Sequence, residues 1–131
     1  MKKNFLIIDD DQDDRFFFKE AIEGMFNSSV CLQANDGADA LNQLRKAKQL
    51  PDFIFLDVNM PRMGGRECLK ELKKDAKLKR IPVIMYSTSF SKESIEEFRT
   101  LGSSHYLTKP TDMNKLPEQI SKAIKKSITT A

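Results

Sequence analysis

Residues 53–61 read Phe-Ile-Phe-Leu-Asp-Val-Asn-Met-Pro, four apolar residues that end on a carboxylate and lead into a turn-forming proline. An apolar run without alternation predicts a strand that is buried on both faces. Residues 5–10, Phe-Leu-Ile-Ile-Asp-Asp, repeat this design near the start of the chain. Two such strands indicate a parallel sheet that has carboxylates at one edge.

Outward from these two runs, short apolar segments alternate with longer amphipathic ones along the whole chain. We predict strands at residues 5–9, 30–34, 53–57, 83–87 and 105–108, and helices at about 12–26, 37–48, 65–75, 92–101 and 114–127. Because crossovers between parallel strands are right-handed, the helices must cover both faces of the sheet. The predicted fold class is α/β, with a doubly wound five-stranded parallel sheet.

The bulk composition favours one cytoplasmic domain. The chain has 131 residues, of which 40% are hydrophobic, enough for one core, and residues 1–131 are expected to form a single domain without an output domain. Apolar runs of a few residues are far shorter than the roughly 20 needed to cross a bilayer. Cys31 and Cys68 lack a metal or redox spacing, so buried free thiols are expected.

Chemically useful side chains follow four of the predicted strands. Since ligands bind beyond the carboxyl ends of parallel strands, these side chains are expected to converge. They are Asp9 and Asp10, Asp57, Ser87, and Lys109. Carboxylates suit Mg²⁺, while an ammonium and a hydroxyl can stabilise the oxygens of a transferring phosphoryl group. The set therefore predicts phosphoryl transfer to a carboxylate.

With these motifs the chain resembles the receiver domains of two-component response regulators, especially the single-domain chemotaxis type. The resemblance covers nearly the whole chain. It is carried by residues 5–10 (FLIIDD), 55–61 (FLDVNMP) with Gly65, Ser87 and residues 106–110 (YLTKP), with lesser matches at 35–37 (NDG) and 81–84 (IPVI).

This resemblance implies a (βα)5 flavodoxin-like three-layer sandwich with strand order 2-1-3-4-5. It implies that Asp57 is the phosphoacceptor, and that the donor is a phosphohistidine on a sensor histidine kinase or a histidine phosphotransfer protein, with small phosphodonors as further candidates. Mg²⁺ would be held by Asp10, Asp57 and the main-chain carbonyl of Asn59. Asp9 would reach the ion through water.

The resemblance also implies a switch. Lys109 would bridge to the phosphoryl oxygen, and Ser87 would move toward that oxygen and vacate space for Tyr106. The surface around the fourth helix, fifth strand and fifth helix would then change for an unidentified downstream protein. A cis bond before Pro110 would aim Lys109 into the site. A homodimer is left open, and neither nucleic acid nor a membrane is expected as a partner.

Two residues depart from the family pattern. Ser87 stands where threonine is commoner, which keeps the hydroxyl but leaves its side-chain torsion less restricted. Gly64 stands where the family often has aspartate, so the third helix is expected to begin on a weaker glycine cap. By contrast, Asp11, Asp13 and Asp14 are interpreted as structural acids that cap the first helix and offset its dipole.

Two other functions compete with this prediction. A phosphatase or mutase of the haloacid dehalogenase class also uses an aspartyl phosphate, but it needs a second acid two residues after its nucleophile, where this chain has Asn59. An amide cannot shuttle a proton at neutral pH. An interaction module that no longer uses the phosphate is also conceivable, although all charged positions of the site remain. The prediction is accordingly a signalling domain and not an enzyme.

Overall fold

The computed structural model describes residues 3–26 and 28–129. Its centre is one sheet of parallel strands in the order β2-β1-β3-β4-β5, which confirms the predicted fold class and strand order. The strands are β1 Asn4–Ile8, β2 Val30–Ala34, β3 Phe53–Asp57, β4 Val83–Ser87 and β5 His105–Thr108. Every strand lies within one residue of its predicted position.

Helices alternate with these strands. They are α1 Gln12–Met25, α2 Gly37–Lys46, α3 Gly65–Lys74, α4 Lys92–Leu101 and α5 Leu116–Thr129. A 3-10 turn, Met113–Lys115, precedes α5, so the helix begins two residues later than predicted; the Asp112 carboxylate accepts a hydrogen bond from the Asn114 amide in this turn. No helix in the described ranges is both long and apolar enough to span a bilayer.

The helices form two layers around the sheet. On one face α2, α3 and α4 bury side chains such as Leu41, Leu69 and Phe98, and on the other face α1 and α5 bury side chains such as Phe18 and Ile120. All five residues of β3 are buried, as expected for a central strand that is covered on both sides. The structure therefore has the predicted three layers.

Strand register brings the chemical residues to one edge. Asp57 at the end of β3 is aligned with Tyr86 in β4, and Ser87 is aligned with Thr108 at the end of β5. Lys109 follows directly, and its amide donates a 2.7 Å hydrogen bond to the Ser87 carbonyl. The ends of three neighbouring strands are thus joined where the polar side chains begin.

Gly65 allows α3 to start close against β3. A Cβ atom at this position would lie 2.2 Å from the Asp57 carbonyl oxygen, which is backbone and cannot move aside. The Gly65 amide donates a 2.8 Å hydrogen bond to the Val58 carbonyl. Gly64 caps the helix without any side-chain hydrogen bond, which confirms the weak glycine cap.

Both cysteines are free thiols inside the protein, as predicted. Cys31 packs in the core layer of α1 and α5, whereas Cys68 packs in the layer of α2, α3 and α4. Burial is the main cause that raises the pKa of each thiol to about 12. Neither thiol is ionised at neutral pH, so both serve as small apolar side chains.

Candidate functional site

Three aspartates meet at the carboxyl edge of the sheet. Asp9 and Asp10 follow β1, and Asp57 ends β3, the strand next to it. One carboxylate oxygen from each lies within 4.8 Å of the others. Asp9 is fully buried, Asp57 is 6% exposed, and Asp10 is open to solvent. Oxygen ligands of this kind, with one side facing water, suit a hydrated divalent cation such as Mg²⁺.

Lys109 brings a positive charge to these acids. Its Nζ atom lies 2.7 Å from Asp9 Oδ2, 2.9 Å from Asp14 Oδ2 and 3.7 Å from Asp57 Oδ1. The first two contacts are hydrogen bonds, whereas the third is an ion pair without one. Burial alone would lower the pKa of the Lys109 amine, but the hydrogen bonds to Asp9 and Asp14 outweigh it and raise that pKa. Lys109 is therefore a permanent cation.

Asp57 lies in an environment that disfavours its negative charge. Burial, and then the nearby charge of Asp9, raise the pKa of the Asp57 carboxyl from 3.8 to about 7, and Lys109 offsets only part of this shift. A cation that binds beside Asp57 would favour the charged carboxylate and so oppose this rise in pKa. The acid cluster is thus incompletely neutralised by the protein's own side chains.

An open cleft leads to the acids. It has a volume of about 830 Å³ and is lined by Asp10, by Asn59 and its neighbours in the loop after β3, and by residues of α3. Asn59 is exposed on the rim of this cleft. The predicted ligand carbonyl of Asn59 therefore belongs to the loop that borders the acid cluster. Asp10 is the acid of the cluster that lines this cleft.

The two predicted switch residues lie at different depths. Ser87 is 4% exposed and stands one residue beyond Tyr86, the residue aligned with Asp57. Tyr106 on β5 is 37% exposed, and its ring centroid lies 5.1 Å from that of Phe90 in the loop between β4 and α4. Tyr106 is thus in an outward position, in contact with the loop that follows Ser87.

The expected cis bond before Pro110 is wrong, because no peptide bond in the described residues is cis. The trans chain still brings Lys109 to the acids. Its amide is held by Ser87, and its side chain is held by Asp9 and Asp14. These hydrogen bonds hold the amine at the acids.

The structural interpretation of Asp14 omits a contact: Asp14 lies in the first turn of α1 as expected, but it also pairs with Lys109. Asp11 caps α1 as expected, since its carboxylate accepts hydrogen bonds from the Asp13 and Asp14 amides. The Asp14 carboxylate instead points to Lys109. Helical spacing in the sequence could have predicted this inward position. Asp14 precedes the buried Phe18 by four residues, so both lie on the inward face of α1.

Arg15 is a second residue that the sequence analysis missed. Its guanidinium donates a 2.6 Å hydrogen bond to the Asp9 carbonyl and a 3.2 Å hydrogen bond to the Gln33 side chain. It therefore ties α1 to the end of β1 and to β2. No motif signals this role, because an arginine on an acidic helix reads equally well as a solvated charge.

Comparisons with known proteins agree with this geometry. The family model described as the response regulator receiver domain matches residues 5–121. Chemotaxis protein CheY-3 of Vibrio cholerae is 35% identical over 118 residues, which cover 89% of this chain and 88% of CheY-3.

Two solved structures extend the similarity to three dimensions. The phosphorylated cyanobacterial phytochrome response regulator RcpA is 30% identical, with a TM-score of 0.87 and coverage of 100% of this chain and 97% of RcpA. The Mn²⁺-bound form of response regulator Rcp1 is 28% identical, with a TM-score of 0.80 and coverage of 92% and 90%. Each similarity spans nearly all of both chains, so it concerns the whole fold and not one motif.

Proposed function

This chain belongs to the response regulator receiver family, and we propose that it signals by accepting a phosphoryl group on Asp57. Receiver domains are signalling domains whose output depends on phosphorylation, and this one is of the CheY-like type. The convergence of three carboxylates and the Lys109 ammonium at one strand edge is the observation that carries the proposal.

Asp57 is the best supported acceptor among the three acids. Asp9 is fully buried and already accepts hydrogen bonds from Lys109 and from the Asp11 amide. Asp10 is exposed, without an ammonium beside it in the described contacts. Asp57 has both the nearby charge of Lys109 and a position between the other acids and the end of β4.

The transfer itself balances simply. A carboxylate oxygen of Asp57 attacks the phosphorus of a phosphohistidine on a kinase or phosphotransfer protein, the bond between nitrogen and phosphorus breaks, and the donor ring, which carries a proton on its other nitrogen, leaves as neutral imidazole. The product is an acyl phosphate. Lys109 donates to a phosphoryl oxygen and Ser87 moves toward that same oxygen, so the charge that develops there meets an ammonium and a hydroxyl.

We propose Mg²⁺ as the cofactor. Asp10, Asp57 and the Asn59 carbonyl would hold it directly, with Asp9 acting through water. The donor set supports this choice, because hard oxygen ligands at an open cleft leave room for waters and a phosphoryl oxygen. The bound ion would offset the repulsion between Asp57 and the incoming phosphoryl group. The similar response regulator Rcp1 was solved in a Mn²⁺-bound form, which supports a divalent cation here.

The output is proposed to run through Ser87 and Tyr106. When Ser87 turns toward the phosphoryl oxygen, the β4 to α4 loop that carries Phe90 follows, and Tyr106 loses its outward contact with Phe90. Tyr106 then moves inward, and the surface of α4, β5 and α5 changes for a downstream protein. The partial exposure of Tyr106 supports its freedom to move.

Phosphorylation by a small donor tests the acceptor. The wild-type protein, incubated with acetyl phosphate and Mg²⁺, should gain one phosphoryl group by intact-protein mass spectrometry. Asp57→Asn should gain none, because an amide is not a nucleophile for phosphorus at neutral pH. Asp13→Asn removes an exposed acid of α1 and should react like wild type. Labelling of the Asp57→Asn protein at another site would refute the assignment.

A further inference from the structure

Asp14 holds the Lys109 amine on the side away from the acceptor. We propose that Asp14 is a positioning residue that restrains Lys109 and thereby weakens the binding of a phosphoryl group at Asp57; this inference rests on the proposed function. The residues predicted for the site do not include this fourth carboxylate. It would set how readily the domain is switched on.

The Lys109 amine lies closer to Asp9 and Asp14 than to Asp57. Lys109 Nζ lies 2.9 Å from Asp14 Oδ2 and 2.7 Å from Asp9 Oδ2, but 3.7 Å from Asp57 Oδ1. An ammonium has three N–H donors. Two of them are used by Asp9 and Asp14, and the amine lies beyond hydrogen-bonding distance of Asp57. The resting amine is therefore drawn toward α1.

The fold keeps Asp14 in this place. It lies in the first turn of α1, whose start is fixed by the Asp11 cap and whose inward face is anchored by the buried Phe18. Arg15, the next residue, donates a hydrogen bond to the Asp9 carbonyl. The helix therefore cannot slide along the end of β1 without losing these contacts, and the Asp14 carboxylate stays near Lys109.

Burial strengthens the ion pair between Lys109 and Asp14. The Lys109 side chain is 9% exposed and that of Asp14 is 24% exposed, so solvent screens this pair much less than it screens a surface pair. The Lys19 and Glu23 pair on the same helix, with side chains 39% and 42% exposed, is an example of the weaker kind.

Two effects of Asp14 act in the same direction. It competes with a phosphoryl oxygen for the Lys109 donors, and its own negative charge repels an incoming anion. One effect opposes them, since Asp14 also limits the motion of the amine. The competing effects are expected to dominate, because two of the Lys109 donors are already engaged by Asp9 and Asp14 while the amine makes no hydrogen bond to Asp57. Neutralising Asp14 should therefore favour the phosphoryl group.

Titration with beryllofluoride, a phosphoryl mimic, tests this in the presence of saturating Mg²⁺. Asp14→Asn keeps the shape and an acceptor oxygen but removes the charge. Its affinity for beryllofluoride, followed by ¹⁹F NMR, should rise about three- to tenfold over wild type. Asp14→Ala should show at least the same gain, because it also removes the acceptor.

Asp13→Asn is the matched control. Asp13 is exposed in the same first turn and shares the interaction with the helix dipole, but the described contacts of Lys109 do not include it. A purely structural role of Asp14 in capping α1 would be reproduced by this control. The magnesium affinity measured by calorimetry gives a second signature, since loss of a nearby negative charge should leave it unchanged or slightly weaker while anion affinity rises.

The outcomes separate the two proposals. Wild-type protein that binds no beryllofluoride in the presence of Mg²⁺ contradicts the proposed function itself. Wild-type binding, with Asp14→Asn equal to Asp13→Asn, overturns only the role of Asp14. Weaker binding by Asp14→Asn also overturns it, because the carboxylate would then direct Lys109 toward the phosphoryl group and not away from it.

Discussion

At the scale of single residues, Asp57 combines function with a cost in stability. The fold buries this carboxyl group near Asp9, and these two causes raise its pKa from 3.8 to about 7. The same environment makes the group a good place for a cation and a phosphoryl group. Without a cation or a phosphoryl group, the buried Asp57 carboxylate and its repulsion by Asp9 lower the stability of the folded chain.

The pH dependence of stability tests this cost. Between about pH 4 and pH 7 the folded chain keeps the Asp57 proton whereas the unfolded chain has lost it, so this group makes stability fall as pH rises. Asp57→Asn lacks the charge. In the absence of divalent cations its free energy of unfolding should exceed that of wild type by about 2 kcal/mol at pH 8, and the gain should disappear near pH 4.

Urea unfolding with chelator measures this difference, and Asp13→Asn serves as the exposed-acid control. Mg²⁺ should stabilise wild type much more than Asp57→Asn, because the ion binds the folded carboxylate. Equal stabilities of wild type and Asp57→Asn at pH 8 without divalent cations would contradict the raised pKa.

Most charged residues of the site can be predicted from the sequence, but Asp14 cannot be predicted as easily. Asp9, Asp10, Asp57 and Lys109 are predictable because each follows an apolar run whose end is visible in the sequence. The partner of Lys109 on α1 is harder to predict, since a capping acid and an inward acid look alike in an acidic first turn. Only the spacing from Asp14 to the buried Phe18 separates them.

At the scale of elements, the contact between β3 and α3 is the most constrained. Gly65 lies where a side chain would collide with the Asp57 carbonyl. The loop between them carries Asn59, the proposed source of a ligand carbonyl. The geometry of the site thus depends on a backbone approach that only glycine allows.

Substitution of glycine tests this approach. Gly65→Ala should lower the free energy of unfolding by about 2 kcal/mol or more, because backbone must move to relieve the clash. Gly24→Ala in α1 is the matched control, since nothing lies within 4 Å of its added Cβ atom. That control should gain about 0.5–1 kcal/mol from helix propensity. A Gly65→Ala protein as stable as wild type in urea would contradict the close packing.

Element boundaries were predicted unevenly. The buried strands were located within one residue, because apolar runs bounded by polar residues have sharp ends. The two 3-10 turns, Leu78–Arg80 and Met113–Lys115, were not foreseen, since three-residue turns leave no periodic pattern. The bond before Pro110 is trans, whereas the family resemblance implied cis; the local residues do not specify the isomer, since X-Pro bonds tolerate both.

At the scale of the whole molecule, the two core layers share one sheet and therefore should open together. Cys31 and Cys68 report on different layers, and burial raises the pKa of both thiols to about 12. That residues 1–131 act as one receiver domain without an output domain stays a prediction.

Thiol labelling follows this opening. In native buffer at pH 8 both cysteines should react with a disulfide reagent at least about 100-fold more slowly than in urea, because each needs unfolding to become accessible. Mg²⁺ at ten times its dissociation constant should slow both about tenfold, since it binds only the folded state. Labelling rates that differ between the two thiols would show that the layers open separately. Labelling rates that do not change with Mg²⁺ would show that the site binds no ion.

Borohydride trapping tests the central claim most directly. The protein is phosphorylated with acetyl phosphate, reduced with sodium borohydride, which converts an aspartyl phosphate to homoserine, and mapped by peptide mass spectrometry. We predict homoserine at position 57 alone, formed in the presence of Mg²⁺ and absent when the cation is chelated. Homoserine at another aspartate, or modification of Asp57 that is indifferent to chelation, would contradict the account.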